Sequence, residues 1–352
     1  MLYLGLDVHS KWMTVSGVDT ETGEVFEEKR VRNDVESLEE FFSALPGPIC
    51  GAMESGTNSW AIFRILEPHF EKLIVVDPAT VWGRDVRRGA KTDRRDARKL
   101  ALKMSRGELE PLYVPDPTTQ DLRALTRARI NASRHITKLV SETGSLLRSW
   151  GIILECSLLS KRGQQLLEES RSRLPEHSRT VLELWLRMLR DAQEVEAELQ
   201  LRVEVEASGD EACKILMSIP GVGALTALVI RSEVGDIERF GSAAALVCYC
   251  GLSPSVSQSS EQIYYGRLNR ACNRYLKYVL VLRAQGMSRA KAENPMRSTY
   301  WRVLCKGKNH AKIAVARQLV RVIYRMLKDR KRWDASEITE RRARSAPATA
   351  HA

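Results

Sequence analysis

The chain has 352 residues, with 55 Lys and Arg against 44 Asp and Glu, for a formal net charge of +11. That length holds two domains with proper cores, and the positive balance favours a polyanionic partner, most simply nucleic acid. No apolar run approaches the ~18 residues of a membrane span, no basic leader precedes an apolar stretch, and seven scattered cysteines without a CxxC pair argue against zinc and fit a reducing cytosol.

The first 115 residues alternate strand and helix signals. Leu2–Asp7, Trp12–Val18 and Val25–Val31 are predicted as strands, the last two separated by the turn-forming run Asp19 to Gly23. Asn33 and Glu36 have capping-box spacing ahead of Leu38, Phe41, Phe42 and Leu45. Pro46-Gly47-Pro48 breaks the chain before a strand ending at Glu54. A helix over Ser59–Leu66 and a strand over Lys72–Val76 follow. Three strands, a helix, a strand, a helix and a strand is the order of a ribonuclease-H-like sheet.

Four acidic residues stand out in this region. Asp7 ends one apolar run and Glu54 another, while Asp93 and Asp96 lie at i, i+3 spacing in a predicted helix start. Two strand-end carboxylates facing such a helix form a compact oxygen cage. Mg²⁺ or Mn²⁺ takes such ligands, and two metals clamp the attacking and leaving oxygens of a phosphodiester. Each acid alone is more readily a turn former or a helix cap. Around the pair, Arg84, Arg87, Arg88, Lys91, Arg94 and Arg95 supply positive charge for a polyanion.

Residues 116–210 lose the strand signals. Leucines recur at helical spacing from Leu122 to Leu147 and again from Leu182 to Leu199. A coiled-coil or antiparallel arm and an ordinary helical bundle both fit, and an arm favours a homo-oligomer.

Residues 211–330 contain Ile219-Pro220-Gly221-Val222-Gly223, which resembles a helix-hairpin-helix turn. In such a turn, backbone amides around Gly221 and Gly223 meet a phosphate. Helices are predicted over Leu276–Met287 and Ala311–Leu327. Arg267, Arg270, Arg274 and Lys277 are placed to hold phosphates, or to form an exposed basic face. Residues 331–352 read as a disordered tail.

The N-terminal set Gly5-Leu6-Asp7-Val8-His9, Met53-Glu54-Ser55-Gly56 and Lys91 to Ala97 is followed by a C-terminal set. The latter comprises Ile219 to Gly223, Gly235-Asp236, Arg239-Phe240, Tyr249 to Pro254, Gln258-Ser259 and Asn273-Arg274-Tyr275-Leu276. In this order, over nearly the whole chain, they resemble a DEDD transposase of the insertion-sequence 110 family. The resemblance implies a RuvC-like N-terminal domain, a coiled-coil arm and a mainly helical C-terminal transposase domain. It implies a prokaryotic, cytoplasmic, nucleoid-associated recombinase that cuts and rejoins double-stranded DNA at its element ends and target. It implies metal ligands at Asp7, Glu54, Asp93 and Asp96, and a structured guide RNA encoded by the element.

The resemblance also implies a serine nucleophile. Counting from Gly251-Leu252 places it at Ser259. Ser260 stands where the family has glycine, and Cys272 replaces a glycine before Asn273, so Ser260 remains the alternative. Holding two duplexes at once suits a dimer or a dimer of dimers. On the residues alone two other functions stay open. One is a RuvC-like junction nuclease that uses water; the other is a non-catalytic nucleic-acid-binding protein.

Overall fold

The structure, a computed structural model, describes residues 1–82, 93–259, 262–289 and 295–336. It divides into two compact units, Met1–Asp116 and Pro117–Ala352.

The first unit is a five-stranded mixed sheet with helices on both faces. Its elements are β1 (Leu2–Val8), β2 (Trp12–Asp19), β3 (Val25–Arg32), α1 (Val35–Ser43), β4 (Ile49–Glu54), α2 (Ser59–Leu66), β5 (Lys72–Val76), α3 (Pro78–Trp82) and α4 (Asp93–Ser105). The strand order is β3-β2-β1-β4-β5. The first three strands pair antiparallel through short turns, while β4 and β5 continue parallel to β1. This follows from chain length: two residues of turn suffice for a hairpin, whereas a parallel partner needs a crossover, here α1 and α2.

Alternation sorts the strand side chains into two cores. Leu4, Leu6, Met13, Val15 and Met53 face one side and bury against Leu38 and Phe42 of α1 and Ile62, Phe63 and Leu66 of α2. Ala52, Ile74 and Val76 face the other, with Leu100 and Met104 of α4. On that second face α4 lies close against β1. A Cβ added at Gly5 would fall 1.8 Å from the Ala97 carbonyl oxygen, so only glycine admits the helix there.

One expected cap differs. The N-cap of α1 is Asp34, whose carboxylate accepts from the Ser37 amide at 2.9 Å. Asn33 instead donates to the His9 carbonyl at 2.6 Å, tying the β3 end to the β1–β2 turn. Both residues suit a cap, and the contact with His9 decides between them.

The second unit begins with α5 (Pro117–Ser149), α6 (Lys161–Ser170) and α7 (Glu176–Gly209). Helices α5 and α7 run antiparallel: Arg129 donates to Glu196 at 2.6 Å and to Gln200 at 3.0 Å, and Trp150 to Ser178 at 2.9 Å. Their far ends and α6 share a core of Ile136, Leu139, Leu147, Leu167, Leu182 and Leu189. The short α6 was not expected from the sequence. At the near end Ile130, Val203 and Ala207 join the main core of the unit, which explains why α5, α7 and the C-terminal region fall together.

That core is built by α8 (Glu211–Met217), α9 (Ala224–Val234), α10 (Ala243–Tyr249), α11 (Arg274–Arg289), α12 (Pro295–Val303) and α13 (Lys308–Asp329). Between α10 and α11 stands an antiparallel hairpin, β6 (Pro254–Ser259) and β7 (Gln262–Leu268). Trp333, in the segment expected to be disordered, packs against the core and donates its amide to Ser218 at 2.8 Å. Residues 337–352 lie outside the described residues.

Candidate active site

The sheet register places two of the four carboxylates side by side. Parallel pairing of β1 and β4 runs through Gly5 with Ala52 and Leu6 with Met53, so Asp7 and Glu54 take the next step. Residues two apart on a strand share a face. Asp7 therefore lies on the face of Gly5, and Glu54 on that of Ala52, which is the face covered by α4. At the usual strand spacing their Cα atoms are about 5 Å apart. Asp7 is held at the sheet end by His9, whose Nε2 is 3.4 Å from its Oδ2. Beyond Glu54, Ser59 caps the turn into α2: its hydroxyl donates to the Glu54 carbonyl at 3.1 Å and accepts from the Gly56 amide. That turn fixes where β4 ends.

Asp93 and Asp96 are the first and fourth residues of α4, one helical turn before Ala97 and Leu100. Ala97 and Leu100 are fully buried on the sheet. Among the described residues no three His, Cys, Asp or Glu side chains converge. The residues present nevertheless fit a hard divalent cation. Two carboxylates occupy adjacent strand ends on one face, and hard cations take oxygen donors. Arg94 and Arg95 are also in the first turn of α4, and Arg84, Arg87, Arg88 and Lys91 lie outside the described residues.

In the second unit Ser259 is the last residue of β6 and pairs with Gln262. Ser260 lies outside the described residues. Arg267 is on β7, Arg270 in the turn that follows, and Arg274 opens α11. Lys277 donates to the Asn269 carbonyl at 3.4 Å. Gly221 has φ +84° in the turn between α8 and α9, and Gly223 is the N-cap of α9. Arg283 of α11 donates to the Gly221 carbonyl at 3.2 Å, fixing that turn to the core.

The base of the β6–β7 hairpin rests on a buried polar network that sequence reading missed. Glu233 of α9 is fully buried. Its carboxylate accepts two hydrogen bonds from Arg127 of α5, at 2.6 and 2.9 Å, and one from Asn273 at 2.7 Å. Arg123, itself buried, donates to the Ser232 and Glu233 carbonyls at 2.8 and 3.2 Å. The Glu233 pairing raises the pKa of the Arg127 guanidinium further, so it stays charged. The Asn273 side-chain oxygen in turn accepts from the Tyr275 and Leu276 amides and caps α11.

Neighbouring groups complete this frame. The Tyr249 hydroxyl donates to the Glu233 carbonyl at 3.2 Å, and Arg239 stacks over Phe240 and Tyr249. Arg317 of α13 donates to the Leu252 carbonyl at 2.6 Å. Gly251 has φ +65°, and a Cβ there would strike Cys272. Burial pushes the neighbouring Cys250 thiol up to about 12, leaving it inert. Arg239-Phe240, Tyr249 to Leu252 and Asn273 thus meet in one frame at the segments that flank the hairpin.

Removing one partner of a buried charge pair leaves the others unpaired, which costs about 3–5 kcal/mol. Glu233→Ala takes the carboxylate from Arg127, whose side chain is 40% exposed, while Arg123 keeps its backbone acceptors, so a smaller loss of about 2–3 kcal/mol is expected, read from urea denaturation of the full chain. A loss below about 1 kcal/mol would show that the network is not a cohesive element.

The comparisons with known proteins agree along the chain. A model of the DEDD transposases of insertion sequence 110 matches residues 4–151, and one described as "Transposase IS116/IS110/IS902 family" matches residues 213–301. The transposase for insertion sequence element IS1111A of Coxiella burnetii is 26% identical over 334 residues, covering 92% of this chain and 89% of its own. A 43.6 kDa protein of insertion element IS110 from Streptomyces coelicolor is 38% identical over 117 residues, 33% of this chain and 28% of its own. A putative transposase of Sinorhizobium fredii is 24% identical over 337 residues, 93% of this chain and 84% of its own.

An α/β unit with paired strand-end carboxylates, followed by a helical unit, is here the framework of a transposase, an enzyme that cuts and rejoins DNA. The chain belongs to the insertion-sequence 110 family of transposases. Among the described residues no helix is long and apolar enough to cross a membrane.

Proposed function

We propose that this transposase recombines the DNA of its own insertion sequence through a carboxylate-bound metal and a serine nucleophile. The observation that carries the reading is the register of Asp7 beside Glu54 on the sheet face under α4. The strand order β3-β2-β1-β4-β5 supports a RuvC-like, ribonuclease-H-like sheet for the first unit. Mg²⁺ or Mn²⁺ held by Asp7, Glu54, Asp93 and Asp96 would supply Lewis-acid polarisation of the scissile phosphate. Ser259 supplies the attacking oxygen. Its Oγ bonds to phosphorus, the 3′ or 5′ oxygen of the cut strand leaves and takes a proton, and the phosphoserine diester keeps the bond for rejoining.

The turn at Gly221 and Gly223 is read as a helix-hairpin-helix-like phosphate contact. Arg267, Arg270, Arg274 and Lys277 flank the serine hairpin and are assigned to DNA phosphates. The antiparallel pair α5 and α7 is assigned as a coiled-coil arm that joins copies of the chain. Leu184, Met188, Val195, Leu201 and Val205 remain exposed along α7, which supports an apolar seam for a dimer or a dimer of dimers. The guide RNA rests on the family alone.

The deciding experiment incubates the full chain with labelled DNA of the element end, with Mg²⁺ or with EDTA. A Mg²⁺-dependent protein–DNA adduct that survives denaturing gels is expected. Cleavage without an adduct would favour water as nucleophile, and binding without cleavage would favour a non-catalytic role. Light scattering that gave a monomer, free and DNA-bound, would remove the arm's role.

A further inference from the structure

Beside the carboxylates, the same sheet face carries an aromatic and two cations that the proposed chemistry leaves unused. Strand β2 pairs Trp12 with Arg32 and Thr14 with Arg30 on β3. Thr14 pairs in turn with Asp7 on β1. Cross-strand partners share a face, as do residues two apart. Trp12, Arg30 and Arg32 therefore lie on the Asp7 face. Their neighbours confirm the sorting, since Met13, Val15 and Val31 are buried in the core on the other side.

The exposure pattern separates this cluster from ordinary packing. Thr14 and Ser16, on the same face, are buried, whereas Trp12 remains 37% exposed. The Arg30 guanidinium carbon lies 5.0 Å from the Trp12 ring centroid and that of Arg32 5.8 Å. Arg32 also contacts Asp34, Nε to Oδ2 at 3.2 Å, an exposed pair that water screens and a phosphate can displace. An open indole flanked by guanidinium groups is the chemistry that takes a nucleic-acid strand: a base stacks on the ring and phosphates meet the cations. From strand spacing and rise, the Cα of Trp12 lies about 8 Å from that of Asp7, and that of Arg32 about 12 Å.

We infer that Trp12, Arg30 and Arg32 form a subsite for the DNA strand entering the Asp7 and Glu54 site. It stacks one base and holds adjoining phosphates roughly two to four nucleotides from the reacting bond, at about 3.4 Å of rise per nucleotide. The assignment rests on the proposed role of the two carboxylates. It is made to the substrate strand because the cluster adjoins the two carboxylates, where the reacting strand would lie.

The test uses the full chain in EDTA, so that no metal chemistry contributes. A fluorescein-labelled single-stranded DNA and an RNA of the same sequence are titrated at several salt concentrations. Trp12→Ala is expected to weaken DNA binding roughly tenfold, with Trp12→Phe restoring most of it. The double variant Arg30→Gln/Arg32→Gln alters only exposed side chains. It is expected to keep the melting temperature and to flatten the log–log salt slope by roughly 1 to 2. Unchanged DNA affinity and slope, or a loss confined to the RNA, would overturn the subsite. A loss of DNA binding in the variants, together with a wild-type chain that never cuts DNA in Mg²⁺, would leave the subsite standing and remove the carboxylate reading instead.

Discussion

Ser259→Ala is expected to eliminate the covalent protein–DNA adduct, and Ser260→Ala to leave most of it. Alanine removes only the Oγ that would bond to phosphorus. The β6–β7 ladder is made by backbone groups, so the pairing of Ser259 with Gln262 survives the change. The hairpin base is held independently by Arg317 on the Leu252 carbonyl and by Asn273 at the start of α11. DNA affinity should therefore stay within about twofold of wild type, because no phosphate-binding cation is lost. The adduct is read by labelled DNA on denaturing gels, with affinity measured alongside. The reverse pattern would make Ser260 the nucleophile. Adduct formation by both variants would refute a nucleophile at either position.

Asp7→Asn should lower strand cleavage at least a thousandfold, about 4 kcal/mol of barrier, with binding nearly unchanged. The change is isosteric and takes away one negative charge. Asp7 pairs with Thr14 through the backbone, and its contact with the half-exposed His9 is a minor one. The sheet therefore persists while the oxygen donor set beside Glu54 weakens. Asp93→Asn should behave alike, at the first position of α4. Single-turnover cleavage in Mg²⁺ reads the effect. A rate above about a tenth of wild type would show that Asp7 is not a metal ligand.

The two carboxylate strands were legible because a short apolar run marks a buried strand, and a charged residue that ends the run marks its edge. Leu2 to Asp7 and Ile49 to Glu54 both have this form. Their adjacency in the sheet was legible only as a consequence of strand order. The cap of α1 was misplaced by one position because Asn33 and Asp34 both suit it, and the contact that separates them lies at His9, far back in the chain. The β6–β7 hairpin was hidden because Ser253 to Ser260 has no apolar alternation and reads as a polar loop.

Glu233 was hidden for a different reason. A glutamate in a helix reads as a solvent-facing residue, and its partner Arg127 is 106 positions away. No local period encodes such a pairing. Trp12 with Arg30 and Arg32 escaped notice similarly, since the three become neighbours only through the register of β2 and β3.

The Arg127–Glu233–Asn273 network also sets rules for exchanging parts between relatives. Its members come from three separate stretches, on α5, on α9 and just before α11. A chimera joined near residue 210 would take Arg127 from one parent and Glu233 and Asn273 from the other. A mismatch between Arg127 and Glu233 would then leave the buried carboxylate without its counterpart. A junction at Asp116, between the two compact units, inherits all three together. The natural seam for grafting thus lies before the long helices, and those helices travel with the C-terminal part that they help to hold.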